Sequence, residues 1–298
     1  MPTHKKRSGK KRKRLGLLSF IGLLLYYALY AVWAALKAFF SLLTWLIRGA
    51  ASKARRISRK RRQPHSVAAY EGFAEVMALE GSLTEFEGWM LGSKSRIGII
   101  LGARGTGKSA LGLRILENIH ANTNKRIYAM GFLQADLPPW IEVIDSIEGI
   151  TSNAVVLLDE GGIEFSSREA MSGVNKLLSA LLLISRHKDL SILFITQNSA
   201  NLEVNAIRQA DFLLMKPSSL LQMDFERKGI RERYREVEGH FSRFRGKKGL
   251  TYAYSDHYRG FVTNSLPSFW SEKVSKAYMG NEGVRAAERE MTNPSLRR

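Results

Sequence analysis

The sequence predicts an α/β fold: a mostly parallel five-stranded core sheet with helices on both faces, preceded by an N-terminal transmembrane helix. Three observations carry this. Between residues 96 and 217, apolar runs of strand length alternate with helix-length patterns. The first run leads directly into Gly102-Ala103-Arg104-Gly105-Thr106-Gly107-Lys108-Ser109, which fits the phosphate-loop pattern G-x4-G-K-[ST] at every fixed position. Residues 15–36 carry no charged side chain, enough for the roughly 20 residues that a membrane-spanning helix needs.

Residues 1–62 hold 17 Lys and Arg and no Asp or Glu, leaving 29 basic against 27 acidic side chains in the rest of the chain. The formal charge of +19 therefore belongs to the N-terminal segment. A high isoelectric point alone would suggest a DNA-coating protein, and this distribution argues against that. The basic tail 1–14 precedes an apolar segment, 15–47, interrupted by Lys37 and carrying Tyr26, Tyr27, Tyr30, Trp33 and Trp45 as headgroup-level anchors. As one helix, Leu15 to Ile47 would run about 50 Å against a hydrocarbon core of roughly 30 Å, so it tilts, or its second part lies in the interface. It is too long for a signal peptide. Both flanks are basic, so the segment is expected as single-pass or re-entrant, with the following domain on the ATP-containing, cytoplasmic side. Residues 48–66 form a basic juxtamembrane linker whose Arg55–Arg62 run suits anionic lipid or, as the alternative, a nucleic-acid backbone. The sequence has no cysteine, which excludes disulfides, thiolate metal sites and a cysteine nucleophile.

The core, 67–217, is expected to start its sheet with Arg96–Leu101. In the loop that follows, backbone N–H groups of Gly102 to Ser109 would surround phosphate at a helix N-terminus. Lys108 would reach the β and γ phosphates, and Ser109 would hold Mg²⁺. Ala110–Asn122 reads as the helix behind the loop. Strands follow at Arg126–Gly131, Ala154–Leu158, Ser191–Thr196 and Asp211–Met215, with a further helix over Ser172–Ser185. In such sheets ligands bind beyond the C-terminal strand ends.

Ala154-Val-Val-Leu-Leu-Asp159-Glu160 ends an apolar strand in two carboxylates, 51 residues after Lys108. Asp159 suits the Mg²⁺ shell, and Glu160 suits orienting and deprotonating the attacking water. The pair favours ATP hydrolysis over small-molecule phosphorylation. No N-K-x-D guanine-reading motif is present, so ATP is expected rather than GTP. Gln197, at the end of Ser191-Ile-Leu-Phe-Ile-Thr196-Gln197, is placed to sense the γ-phosphate.

Residues 218–298 form a C-terminal extension, expected to complete the domain or dock partners. Phe225–Glu238 reads as a solvated helix, and Leu250–Tyr254 and Gly260–Val262 as short strands. Arg243-Phe-Arg-Gly-Lys-Lys248 is either an exposed turn or a DNA-phosphate contact. Pro267–Tyr278 is either packed on its own domain or a docking helix.

With the loop, the Asp159-Glu160 pair and Ser185-Arg186-His187-Lys-Asp-Leu-Ser-Ile-Leu-Phe-Ile-Thr196-Gln197 in place, residues 95–217 resemble the FtsK–HerA superfamily of P-loop ATPases. Asp159-Glu-Gly-Gly-Ile-Glu-Phe165-Ser-Ser-Arg168 and Ala206-Ile-Arg208-Gln-Ala-Asp211 are most similar to its Zot-like and viral genome-packaging branch. The resemblance implies a RecA-like fold with sheet order 5-1-4-3-2 and a ring, commonly a hexamer. It also implies an arginine acting in trans, with Arg186 the first candidate and Arg168 and Arg208 the others. DNA is the implied translocated substrate, with a capsid or coat protein as partner. Zot-type assembly ATPases that extrude virion proteins, and conjugative coupling proteins, are the alternatives. Unlike the Zot type, this chain carries its apolar segment before the ATPase core.

Overall fold

The structure is a computed structural model. It describes residues 67–92, 94–162 and 170–275, together with Tyr30, Trp33 and Lys37. The basic tail, nearly all of the expected membrane segment, the linker, Arg168 and residues 276–298 lie outside the described residues. Among the described residues, no helix is long and apolar enough to cross a membrane. The chain divides into two compact units, Met1–Arg61 and Arg62–Arg298. In the first, Tyr30, Trp33 and Lys37 are helical, and Lys37 Nζ lies 5.2 Å from the centre of the Trp33 ring.

The second unit is built on one nine-stranded sheet in the order β1-β9-β8-β7-β2-β6-β5-β3-β4. The strands are β1 (Ala74–Gly81), β2 (Ile97–Leu101), β3 (Arg126–Met130), β4 (Ile141–Val143), β5 (Ala154–Asp159), β6 (Leu190–Thr196), β7 (Phe212–Met215), β8 (Thr251–Ser255) and β9 (Tyr258–Thr263). The six strands from β7 to β4 are parallel, and β8, β9 and β1 add antiparallel strands beyond β7. The five expected strands sit inside this sheet in the order 5-1-4-3-2. The expectation of a five-stranded core is corrected to a nine-stranded mixed sheet, because β4 and the three antiparallel strands extend both sides.

The helices are α1 (Leu83–Leu91), α2 (Lys108–Asn122), α3 (Ala170–Lys188), α4 (Val204–Arg208), α5 (Leu220–Phe225), α6 (Lys228–Arg243) and α7 (Glu272–Ser275). Parallel strands covered on both faces are apolar at every position, and every residue of β5 and of β6 is buried. Alternate residues serve opposite faces. Val155 and Leu157 join the core under α1 and α2, whereas Ala154, Val156 and Leu158 join the core under α3 and α6. Two glycines set the spacing. A Cβ on Gly98 would stand 2.2 Å from Cζ of Phe212, and one on Gly112 would stand 2.8 Å from Leu157 Cδ1, so the ring and helix α2 lie closer than alanine permits.

Helix α2 is buried along almost its whole length. Its polar residues fasten the segments that enter and leave the sheet. Glu117 is fully buried and pairs with Arg114 at 3.0 Å. Its carboxylate accepts from the backbone N–H of Ala69 (3.2 Å) and of Ser268 (2.9 Å). Arg114 donates to the carbonyls of Ala69 (3.2 Å) and Leu266. Asn118 bonds both the N–H and the carbonyl of Glu71, at 3.0 and 2.8 Å. Trp270 packs against the same core, so residues 267–275 lie on their own domain.

Candidate nucleotide and hydrolysis site

Parallel strands bring their C-terminal ends to one edge, and the expected chemistry collects there. Strand β6 lies between β2 and β5, with Leu101 opposite Thr196 and Asp159 opposite Ile195. The end of the loop strand, the end of the Asp159 strand and the strand between them are therefore level.

The loop from Gly102 to Ser109 turns on three glycines with φ of 146° (Gly102), 78° (Gly105) and 87° (Gly107), a region that disfavours side chains. Gly107 is the left-handed N-cap of α2, so the first N–H groups of the helix face the loop's hollow. Lys108 is buried, and its Nζ donates to the loop's own carbonyls, Gly102 O at 2.8 Å and Ala103 O at 2.9 Å. Thr106 Oγ1 also bonds Ala103 O, at 2.7 Å. Ala103 N donates to Pro217 O at 3.0 Å, which ties the loop to the end of β7. Burial lowers the pKa of Lys108, and the nearby charges of Asp159 and Glu160 partly oppose the shift. Arg104 and Gly105 are exposed at the tip.

Ser109 Oγ donates to Asp159 Oδ2 at 2.7 Å, and the other oxygen of Asp159 accepts from Gly161 N at 3.1 Å. The two residues brought together here are the two proposed for the metal. A serine hydroxyl and a carboxylate are the hard oxygen donors that Mg²⁺ takes alongside phosphate and water, so the donor set fits that ion.

Glu160 opens a 3₁₀ turn, Glu160–Gly162, directly after β5. Thr196 Oγ1 donates to its Oε2, and Asn201 Nδ2 to its Oε1 at 3.0 Å. Neither partner was expected. Thr196 closes β6, and the 3₁₀ turn Ser199–Asn201 then folds Asn201 back toward the same carboxylate. The available signal was the polar run Thr196-Gln-Asn-Ser-Ala-Asn201 straight after an apolar strand. Gln197, expected as the sensor, is exposed, and its backbone carbonyl accepts from Gln222 of α5. Of the two residues at this strand end, Thr196 is the one whose side chain meets Glu160.

The turn holding Asn201 is anchored from behind. Glu226, buried between α5 and α6, accepts from both N–H (3.0 Å) and Oγ of Ser199. Arg227 donates to the carbonyls of Ser199 (2.9 Å) and Leu202. Asn175 of α3 donates to Asn201 O at 3.0 Å. Burial raises the pKa of Glu226, and its bonds to Ser199 and the charge of Arg231 oppose this.

Arg186 does not join the site of its own chain. It is exposed in the last turn of α3, which leads into the start of β6, so it lies at the opposite edge of the sheet. Arg208 is likewise exposed, shortly before β7 begins.

No family description and no curated protein matches the chain. Solved structures do. One is the DNA-packaging ATPase B204 of Sulfolobus turreted icosahedral virus, 12% identical over 58% of this chain and 100% of that one, with a TM-score of 0.39. Another is the pCW3 conjugation coupling protein TcpA, in monomer form with ATPγS, 11% identical over 65% of this chain and 66% of that one, TM-score 0.40. A third is EssC (ATPases 2 and 3) from Geobacillus thermodenitrificans, 12% identical over 77% of this chain and 51% of that one, TM-score 0.38.

Proposed function

We propose that this chain is a membrane-anchored, FtsK–HerA-type ATPase that couples ATP hydrolysis to DNA translocation, as in packaging a viral genome into a capsid or moving it across a membrane. The observation that carries the reading is the convergence of Lys108, the Ser109–Asp159 pair and Glu160 at one sheet edge. When ATP enters, Gly102 to Ser109 surround its phosphates, and Lys108 exchanges two loop carbonyls for the β and γ phosphates. Ser109 and Asp159 would hold Mg²⁺, which would supply neutralisation of phosphate charge. Glu160, steadied by Thr196 and Asn201, orients the attacking water and takes its proton. Gln197, which directly follows Thr196 at the end of β6, is the proposed γ-phosphate sensor.

The cation that completes the site comes from a neighbouring copy in a ring, a hexamer by the family resemblance. Arg186 is the first choice for that role, since its edge of the sheet cannot serve its own loop. The domain works on the cytoplasmic face, held by residues 15–47.

The reading is tested by ATP turnover of the detergent-solubilised chain with and without duplex DNA. Turnover is expected to rise with DNA and to vanish in Lys108→Ala and in Glu160→Gln, with Glu160→Gln still binding ATP. A rate indifferent to DNA would overturn the motor.

A second reading, an assembly ATPase whose cargo is a virion protein, is favoured by the exposed Leu220, Leu221 and Phe225 of α5 beside the site. Cross-linking during assembly to coat protein and not to genome would select it.

A further inference from the structure

From Gly239 to Ser255 the chain has no acidic residue, and the end of α6 with the turn that leads to β8 carries Arg243, Arg245, Lys247 and Lys248. In a unit whose charges otherwise nearly cancel, this is a concentrated cationic point. All four side chains are exposed. Among the described residues none of them has an acidic partner within ion-pair distance; the ion pairs of this region are made by Arg233 and Arg259 instead.

The turn is built rather than loose. Phe244 N bonds His240 O at 2.9 Å, Arg245 N bonds Ser242 O at 3.2 Å, and Lys247 N bonds Phe244 O at 3.1 Å. Gly246 and Gly249 take φ of 96° and 75°, which a side chain would strain. Phe244 packs against Phe261, with ring centres 5.6 Å apart, and Leu250 is buried. Leu250 is buried and Phe244 half-buried, with the Arg243 guanidinium carbon 5.5 Å from its ring centre, so no aromatic or aliphatic side chain of the turn is fully exposed to enter a bilayer.

Its place matters as much as its charge. Strand β8 runs antiparallel to β7, with Tyr252 opposite Met215, so the turn lies at the edge of the sheet where the phosphate loop lies. Lys216 joins the two. Its Nζ donates to Gly249 O at 2.9 Å and to Asn264 Oδ1 at 3.0 Å. Its backbone N–H bonds Leu101 O at 2.8 Å, and its Cβ lies where a side chain on Gly102 would have to go. One buried residue thus touches both the root of the basic turn and the first glycine of the phosphate loop.

We propose that Arg243, Arg245, Lys247 and Lys248 form a contact for the phosphodiester backbone of DNA, mechanically joined to the nucleotide loop through Lys216. The inference deepens the DNA-motor reading and rests on it for the identity of the polyanion. Cations alone grip phosphate and read no bases, so the contact is indifferent to sequence. Each cation that meets a duplex phosphate adds about 0.9 to the slope of log affinity against log salt.

The absence of cysteine makes the test clean, because one introduced thiol is unique. Full-length Lys248→Cys, labelled with a benzophenone maleimide, is photo-cross-linked to mixed-sequence duplex DNA, with Glu232→Cys on α6 as the control position. In parallel, a variant with Arg243, Arg245, Lys247 and Lys248 all changed to Gln is assayed for DNA-stimulated ATP turnover. It is also assayed for flotation with vesicles of phosphatidylglycerol and phosphatidylcholine. Expected are at least fivefold more cross-link at position 248 than at 232, and a tenfold or greater rise in the DNA concentration for half-stimulation, with turnover in the absence of DNA unchanged. Equal cross-linking at both positions, or unaltered DNA stimulation, overturns the proposal while leaving the motor intact. Lost flotation with unaltered DNA stimulation overturns it in favour of a lipid contact. Strong cross-linking in a chain whose turnover ignores DNA supports the contact and sinks the motor.

Discussion

Asn201 donates to Glu160 across 41 residues of chain, Nδ2 to Oε1 at 3.0 Å, and Thr196 holds the other oxygen of the same carboxylate. The residue proposed to activate water is thus fixed at both oxygens by the strand and turn between the phosphate loop and β5. Hydrogen bonds to a charged group are worth about 1.5–3 kcal/mol each.

Asn201→Ala is expected to lower kcat for ATP about tenfold with little change in KM, because binding is left to the loop and only orientation is lost. Steady-state turnover over a range of ATP checks this. A rise in kcat would show instead that the two bonds hold Glu160 away from its working position.

Glu226→Ala leaves the N–H and hydroxyl of Ser199 buried without their acceptor. The expected cost is about 1–3 kcal/mol of stability, read by urea unfolding. A fall in kcat should accompany it, since the turn holding Asn201 loses its anchor. Unchanged stability and unchanged turnover together would contradict the anchoring.

Burial pushes the pKa of Lys216 down to about 7, from an ordinary 10.5. Between these values the unfolded chain binds the proton and the folded chain does not, so stability rises with pH. The contribution is fully present above the unfolded value and is lost as pH falls to about 7. Lys216→Met should remove this slope. The check is the difference in unfolding free energy between wild type and variant from pH 7 to 9.5, and a constant difference would count against it.

Gly98→Ala should destabilise by about 1–3 kcal/mol, the usual range for overpacking a close-fitted core, because its methyl would meet the Phe212 ring. Adding Phe212→Leu should recover part of the loss. Thermal unfolding of the two single variants and the double variant measures the coupling, and strict additivity would mean the ring is not what excludes alanine.

The central strands were legible because burial on both faces makes each one a continuous apolar run, and β2, β3, β5, β6 and β7 all read that way. Strand β1 was not, because it is mostly exposed along its length and its alternation is weak. β4 is only three residues long. Lys108, Ser109, Asp159 and Glu160 could be singled out as candidates because phosphate and metal chemistry demand fixed residue types at fixed places relative to strand ends, and the structure brings them to one edge. Asn201 was not, because its role depends on a 3₁₀ turn reversing the chain, and any of several polar residues after Thr196 would look the same in sequence. Gln197 illustrates this: it occupies the expected position, but the turn leaves its side chain exposed.

The clasp on α2 has a mechanical consequence. Glu117 and Asn118 hold residues 69 and 71 on the same rod whose first turn is Lys108-Ser109. Nine residues of helix span about 14 Å. Tension entering the domain at residue 67 therefore reaches the Lys108-Ser109 end of the phosphate loop through one stiff strut, without first crossing a loop. If residues 15–47 are the anchor and the proposed motor reading holds, strain against a load is borne by the helix that carries the phosphate loop.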